Sequence, residues 1–475
     1  MSCDRYGFRQ FAFFAKDMVG DDYMKLDSIV KKVLAMTFVV MWTLPVKSQV
    51  TLQECIRLAL ANNPELKQFE MDAAMAKQDV QQARGLRLPS LDFSGSIRLQ
   101  SVVPKLDLAT VKIPIAGQEI TLFPGGSIQL GLLDNYDFKL TVSQPVFAGF
   151  RLSNRYHAAK SLASSKALEV LSKRSELIFK VESAYADVLK AQQTREIALS
   201  AKEQLEAHRT DIENLMRQGM AKREQWLRVQ VKLSEAELAV TQAENRIRIA
   251  KLRLENLMGQ KLPTEVSFTS MPVTEAIEGE PSASLSKAMI NRPELQSLSH
   301  AKQAGQAAVK VARGSYFPAL AAFGSLGYGK PGLDFIRRKW MDYWVVGIGA
   351  EWNVWHWGRN RSQVAQAQLQ LQRIEASDIQ LRQAVELDVT QACLMLDDAN
   401  QRVNLTRVMA EQALESYRVT EQSYRQGLAS HTEYLDAQAE LTRARLQKAQ
   451  AEVDLALAQA NWRRAVGSNL TMYGE

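Results

Sequence analysis

The sequence predicts a mostly α-helical chain with a β part of the membrane-barrel type. Three observations lead there: an internal duplication, two very long stretches without proline or glycine, and short runs of strict apolar–polar alternation. The duplication is read directly. Asn62, Pro64, Glu65 and Leu66 recur as Asn291, Pro293, Glu294 and Leu295, an offset of 229 that also carries Arg84, Gly85, Pro89, Leu91, Gly95 and Ser96 onto Arg313, Gly314, Pro318, Leu320, Gly324 and Ser325. Farther along the offset is 208, laying Arg217, Gln218, Gly219, Ala221 and Gly259 over Arg425, Gln426, Gly427, Ala429 and Gly467. So many ordered identities mark two copies of one plan. The fall in offset gives the first copy about 21 extra residues between Pro89 and Phe147. The copies span 49–259 and 282–467, with a linker at 260–281 and a tail at 468–475.

Each copy opens with a helix, roughly 53–84 and 282–313. Cys55, Leu58, Ala59, Leu66, Phe69 and Ala73 fall at helical spacing, and NNP or NRP marks a break near the start. Pro89 stops the first of these helices, because proline lacks a donor and biases its predecessor to extended geometry. Alternation then sets Leu91, Phe93, Gly95, Ile97 and Leu99 against Asp92, Ser94, Ser96, Arg98 and Gln100, a strand at about 89–101. A second strand, at about 127–147, sets Ile128, Leu130, Leu132, Tyr136, Phe138, Leu140 and Val142 against polar partners. The second copy repeats the pair at about 318–329 and 341–355.

Residues 153–217 and 361–425 hold no proline or glycine and are rich in strong helix formers. At 1.5 Å per residue each is a rod of about 98 Å. RQG ends each rod, with Gly219 and Gly427 suited to a left-handed helix terminus. Helices at 222–256 and 430–464 return for about 52 Å. Added to the opening helices of about 48 Å, they match the rod, so two short helices can stack end to end beside a long one. Leu171, Ile178, Val181, Tyr185, Val188 and Ala191 form a narrow stripe on the first rod, with Lys173, Glu176, Lys180, Glu182, Asp187 and Lys190 on its other faces. A soluble coiled-coil spacer would account for the rods alone. The strands argue otherwise: four cannot close a membrane barrel, since single-chain examples start at about eight, and an open edge is untenable in lipid. Two chains would supply eight strands and three would supply twelve.

Composition narrows the function classes. The 59 Lys+Arg and 52 Asp+Glu give a net charge of +7 without basic blocks, which excludes a nucleic-acid footprint. Cys3, Cys55 and Cys393, with His157, His208, His300, His356 and His431 scattered, offer no disulfide framework, metal cluster or cofactor site. Cys55 and Cys393 read as small buried apolar residues, the histidines as surface or packing residues, and no catalytic constellation emerges. GSLGYGK, Gly324 to Lys330, has phosphate-loop spacing, but Pro331 stands where a Ser or Thr is required and no helix follows. Trp340, Trp344 and Trp352 read as membrane-interface aromatics. Near the N-terminus, Lys31 and Lys32 precede an apolar run from Val33 to Leu44 and then Pro45 to Ser48. This reads as a secretory signal over 1–48, cut before Gln49, with residues 1–23 as an extension ahead of Met24; an N-terminal anchor is the other reading.

The order of elements resembles the TolC family of bacterial outer membrane efflux proteins. The carrying motifs are VTLQEC from Val50 to Cys55, NNPEL, Arg84 to Leu91, SQPVFAGFR from Ser143 to Arg151 with NVWHWGR from Asn353 to Arg359, and the two RQG turns. The resemblance implies a homotrimer with a 12-stranded β-barrel in the outer membrane, standing on a long periplasmic α-helical barrel. It implies a passive export conduit of a tripartite efflux or type I secretion system, with a periplasmic adaptor and an inner-membrane pump or ABC exporter as partners. The residues alone leave a periplasmic coiled-coil scaffold as the alternative. By the same resemblance, the turns Arg217, Gln218, Gly219, Met220, Ala221 and Arg425, Gln426, Gly427, Leu428, Ala429 would meet the adaptor. The family's acidic gate pair would fall on Glu433 and Asp436, with Glu433 standing where related sequences often have Asp. Spaced i, i+3, the two carboxylates share a helix face.

Overall fold

The computed structural model describes residues 48–115, 118–263, 266–273, 280–334 and 339–473, so the expected leader over 1–48 lies outside the described residues except for Ser48. The first copy runs through β1 (Ser48–Val50), α1 (Leu52–Asn62), α2 (Pro64–Gly85), β2 (Ser90–Leu99), β3 (Lys105–Leu108), β4 (Val111–Ile115), β5 (Gln118–Phe123), β6 (Gly126–Gln129), β7 (Asp134–Ala148), α3 (Arg151–Arg217) and α4 (Arg223–Met258). After β8 (Val266–Phe268) the second copy runs through α5 (Pro281–Asn291), α6 (Pro293–Arg313), a single 3-10 turn, β9 (Ala319–Lys330), β10 (Met341–Glu351), α7 (Arg359–Arg425) and α8 (His431–Val466), with α9 (Asn469–Tyr473) behind it. Parallel pairing of β1 with β8 builds a small unit of its own; the elements from α1 to α4 and from α5 to α9 belong to the other unit.

Both rods are 67 residues long, about 100 Å. Each ends in the same motif. Gly219 at φ 75° donates its N–H to Met216 O at 3.0 Å while Met220 N–H reaches Leu215 O at 2.8 Å; Gly427 at φ 73° and Leu428 repeat this on Tyr424 and Ser423 at the same distances. A residue with a Cβ is strained at that φ, which is why RQG can stop a rod that nothing else interrupts.

The short helices stack as their lengths predict, and the NNPEL and NRPEL breaks are the joints. Asn63 caps α2, its Oδ1 accepting from Leu66 N–H at 3.1 Å, while its Nδ2 donates to Leu257 O near the end of α4 at 3.0 Å. Gly259, just past α4, lies so close that a Cβ there would stand 3.1 Å from Asn62 O. Gly467 abuts Asn291 in the same way. Where the first copy has Asn63 the second has Arg292, whose Nε holds Glu294 at 2.7 Å and whose Nη1 holds Asp388 of α7 at 2.9 Å.

The stripe on α3 is corrected at two places. Ile178, Val181, Tyr185, Val188 and Ala191 are buried as expected, but Leu171 is 38% exposed, and Glu182, expected on the polar face, is fully buried. Its Oε1 lies 3.6 Å from Nη2 of Arg463 on α8. The cause is the number of neighbours: α3 packs against α1, α2, α4, α6, α8 and α9, so it buries more of its circumference than a two-helix seam would.

The main sheet is antiparallel, in the order β10–β9–β7–β2, and joins the two copies through the β7–β9 ladder. The second strand of the first copy is also corrected. It begins at Asp134 rather than near 127, because the chain turns at Gly131, φ 118°, and Gly126–Gln129 leaves to pair with Lys105–Leu108. With β4 and β5 these residues make a two-hairpin ribbon, and this ribbon absorbs the length by which the first copy exceeds the second. Pro145, which has no N–H to give, lies in β7 beyond the last β2 pair at Ser143, and the ladder to β9 skips Val146 as a bulge.

Candidate functional site

Two regions are the candidates, the sheet at one end of the rods and the pair of turns at the other. Across the sheet, Phe93, Leu140, Leu326 and Trp344 stand opposite one another in a continuous row, and Leu91, Val142, Gly324 and Val346 form the next. The opposite face reads Ser94, Lys139, Gly327, Tyr343 and then Ser96, Asp137, Gly329, Met341, with Tyr343 OH donating to Asp137 Oδ1 at 2.9 Å. Alternation thus separates an apolar face from a polar one. Among the described residues nothing covers the apolar face: Phe93 is 71%, Trp344 72% and Ile348 76% exposed. An apolar area this continuous requires lipid or another protein surface. Among the described residues, strands β2 and β10 each end the sheet with an unpaired edge.

The tryptophans expected at a membrane interface divide by position. Trp340 sits just ahead of β10 and stacks on Tyr328 with centroids 4.9 Å apart; Trp352 lies just past the other end, its Nε1–H donating to Tyr316 O at 3.1 Å. The 11 residues of β10 separate them, about 40 Å along the chain and about 30 Å in height at a barrel's usual tilt, close to an apolar band of about 25 Å. Trp344 is inside the strand, in the Phe93 row.

At the far end, both RQG turns border one cleft, lined by Gln218, Met220 and Ala221 from the first and by Arg425, Gly427 and Ala429 from the second. Met220 is 73% and Leu428 78% exposed, so each turn presents one bare apolar side chain. Glu433 and Asp436 are brought to the same end, in different settings. Glu433 closes a capping box: its Oε2 accepts from Ser430 N–H at 2.6 Å while its own N–H reaches Ser430 Oγ at 3.2 Å. The Ser430 N–H, then the Ser430 hydroxyl, hold its carboxyl below the ordinary glutamate value. Asp436 borders a groove with Glu224, Arg228 and Lys232 of α4. Ser430→Ala should cost about 1 kcal/mol of local stability; hydrogen exchange in the first turn of α8 checks this, and unchanged protection there would contradict it.

Sequence reasoning missed the residues between the turns. His208 of α3 and His431 at the head of α8 are each 5% exposed, their rings 5.1 Å apart and 19° from parallel, with Nε2 of the first 3.3 Å from Nδ1 of the second. Tyr434 and Tyr424 enclose His208 with centroids at 4.5 and 5.6 Å, and the Tyr434 hydroxyl shares a 3.1 Å hydrogen bond with that of Tyr417. Burial, then the neighbouring His431, lowers His208 to about 4; burial, then Arg228, lowers His431 as well. Cys55 is buried as expected, and burial pushes its thiol up to about 12, far from a reactive thiolate. Among the described residues no group of three metal-ligating side chains converges, and no helix is long and apolar enough to cross a membrane.

Solved channels share this fold. The CmeC outer membrane channel of Campylobacter jejuni superposes with a TM-score of 0.74 at 17% identity, over 88% of this chain and 85% of that one. The outer membrane protein VceC of Vibrio cholerae gives 0.73 at 16% identity, over 88% and 96%. The class of fold is therefore one of strands joined to long helical hairpins. The chain belongs to the outer membrane efflux protein family, which it matches over residues 55–260 and 284–468. It is 24% identical over 188 residues to the solvent efflux pump outer membrane protein SrpC of Pseudomonas putida, a stretch that spans only 40% of either chain. It is 24% identical over 347 residues to the alkaline protease secretion protein AprF of Pseudomonas aeruginosa, spanning 70% of each.

Proposed function

We propose that three copies of this chain form a passive export conduit of a tripartite efflux or type I secretion system, crossing the outer membrane as a 12-stranded barrel and the periplasm as a helical tube. The observation that supports this reading is the sheet itself, which has one apolar face, one polar face and, among the described residues, two open edges that further strands would satisfy in lipid. Three four-stranded sheets joined edge to edge give twelve strands. The helices support the same assembly, since Leu227, Val231, Leu238 and Leu252 of α4, and Leu387, Leu394 and Leu405 of α7, remain exposed in one copy. A coiled-coil scaffold without a pore would have no use for an apolar sheet face.

Export then needs no turnover chemistry in this chain. An inner-membrane transporter supplies the driving force, and a periplasmic adaptor links the two by gripping the turns at Met220 and Leu428. Six carboxylates, Glu433 and Asp436 from each copy, would ring the closed end and favour cations. The purified protein in a planar bilayer should give discrete conductance steps, and Glu433→Gln with Asp436→Asn should alter their size or cation preference. Unchanged currents in the double variant would remove the ring, and a protein recovered wholly in the soluble periplasmic extract would remove the channel.

A further inference from the structure

The histidine stack lies where the two hairpins meet, and the duplication does not account for it: by the 208 offset its members correspond to Ser416 and Arg223. It therefore marks one junction, α3 against α8. The 3.3 Å contact between ring nitrogens needs an N–H on one ring and a bare lone pair on the other. Two protonated rings would set N–H against N–H, and two positive charges, across that distance. A single added proton enters a site that is more than nine-tenths buried.

The surrounding charges give it little compensation. On α4, Arg228 opposes a charge on His431, while the Gln225 backbone pulls the other way, and Arg228 is itself paired with Glu224 at 2.8 Å. On α7, Glu421 is paired with Arg425 at 2.7 Å, and Tyr424 presents its ring. On α8, Tyr434 presents its ring and Glu433 is committed to its cap. Asp436, also on α8, lines the separate groove beside Arg228 and Lys232. On α3, Asp211 borders the cleft but is exposed to water.

We propose that the His208–His431 stack is a proton-sensitive latch: neutral, it clamps the head of α8 to α3, and in acid it parts and frees the second hairpin at the closed end of the conduit. The link to conduction rests on the channel reading; the latch itself is local. The sign follows from burial. Both imidazoles bind protons less readily in the closed latch than in water, so the clamp is fully expressed above pH 6.5 and is lost as pH falls from there towards about 4. Each imidazole can shift the opening equilibrium by up to about tenfold per pH unit in that window.

Hydrogen exchange on the detergent-solubilised protein tests the latch, read as protection factors normalised for the chemical exchange rate. Protection around His208 and over the first turns of α8 should fall between pH 6.5 and 4.5, by up to about tenfold per pH unit for each imidazole that takes up a proton. His208→Gln should reduce that response to the share of the one remaining imidazole, and His208→Gln combined with His431→Gln should flatten it. Wild-type protection that stays level, or a response that persists in the double variant and so belongs to carboxylates, overturns the latch whatever the currents do. Planar-bilayer conductance forms the second arm and should rise over the same window in the wild type alone. A pH-dependent protection in a protein that never conducts supports the latch and removes the channel reading.

Discussion

Arg463→Met is expected to lower the unfolding free energy by about 3–5 kcal/mol, the largest effect of any single substitution considered for the helical part. Glu182 is fully buried and Arg463 is 8% exposed, with 3.6 Å between their charged atoms. Removing the arginine takes the opposite charge away from a carboxylate held out of water, which is costly. Glu182→Leu combined with Arg463→Met removes both charges and should recover most of the loss, because the pair itself gains little over an apolar packing. Denaturant midpoints for the two single variants and the double variant form the cycle that checks this. A loss below about 1 kcal/mol for Arg463→Met would place the arginine outside the burial account.

Leu140→Arg is expected to cost about 2–4 kcal/mol in a lipid bilayer, the range for a basic side chain at mid-depth on the lipid face of a barrel. Leu140 lies between Phe93 and Leu326 in the central apolar row. Its neighbour Lys139 points the other way, into the row of Ser94, Gly327 and Tyr343, so Lys139→Leu should change stability by less than about 0.5 kcal/mol. Unfolding from vesicles compares the two. Equal effects at 139 and 140 would mean that the faces are not divided between lipid and water.

The sequence carried most of this architecture for identifiable reasons. The rods were legible because 153–217 and 361–425 contain nothing that can stop a helix, and their ends because RQG supplies a left-handed glycine. The faces of the sheet were legible because residues 91–99 alternate without a slip. Three features were not, each because a pattern along the chain carries no information about a partner across space. Alternation runs through Leu130 and Leu132 although Gly131 breaks the strand between β6 and β7. A narrow stripe on α3 assumes one partner helix, whereas several pack around it and draw Glu182 inside. His208 and His431 are 223 residues apart on different hairpins. Their one visible trace was that neither has a histidine at the corresponding position of the other copy.

The turns are legible from the RQG motif, the acidic pair is suggested only by the family resemblance, and the cap that Glu433 forms shows in the structure. Ser430 and Glu433 form the S-x-x-E signature of a helix start. A carboxylate that caps its own helix is less free to swing into a lumen than Asp436, three residues farther on.

The most direct measurement for the central claim is the native mass of the complex extracted from membranes in mild detergent. Pairing β2 of each copy with β10 of the next predicts a closed assembly of three chains that survives dilution, because an opened sheet would expose unpaired backbone to lipid. A single chain that stays folded and monodisperse without detergent, or a complex of two or four, would contradict it.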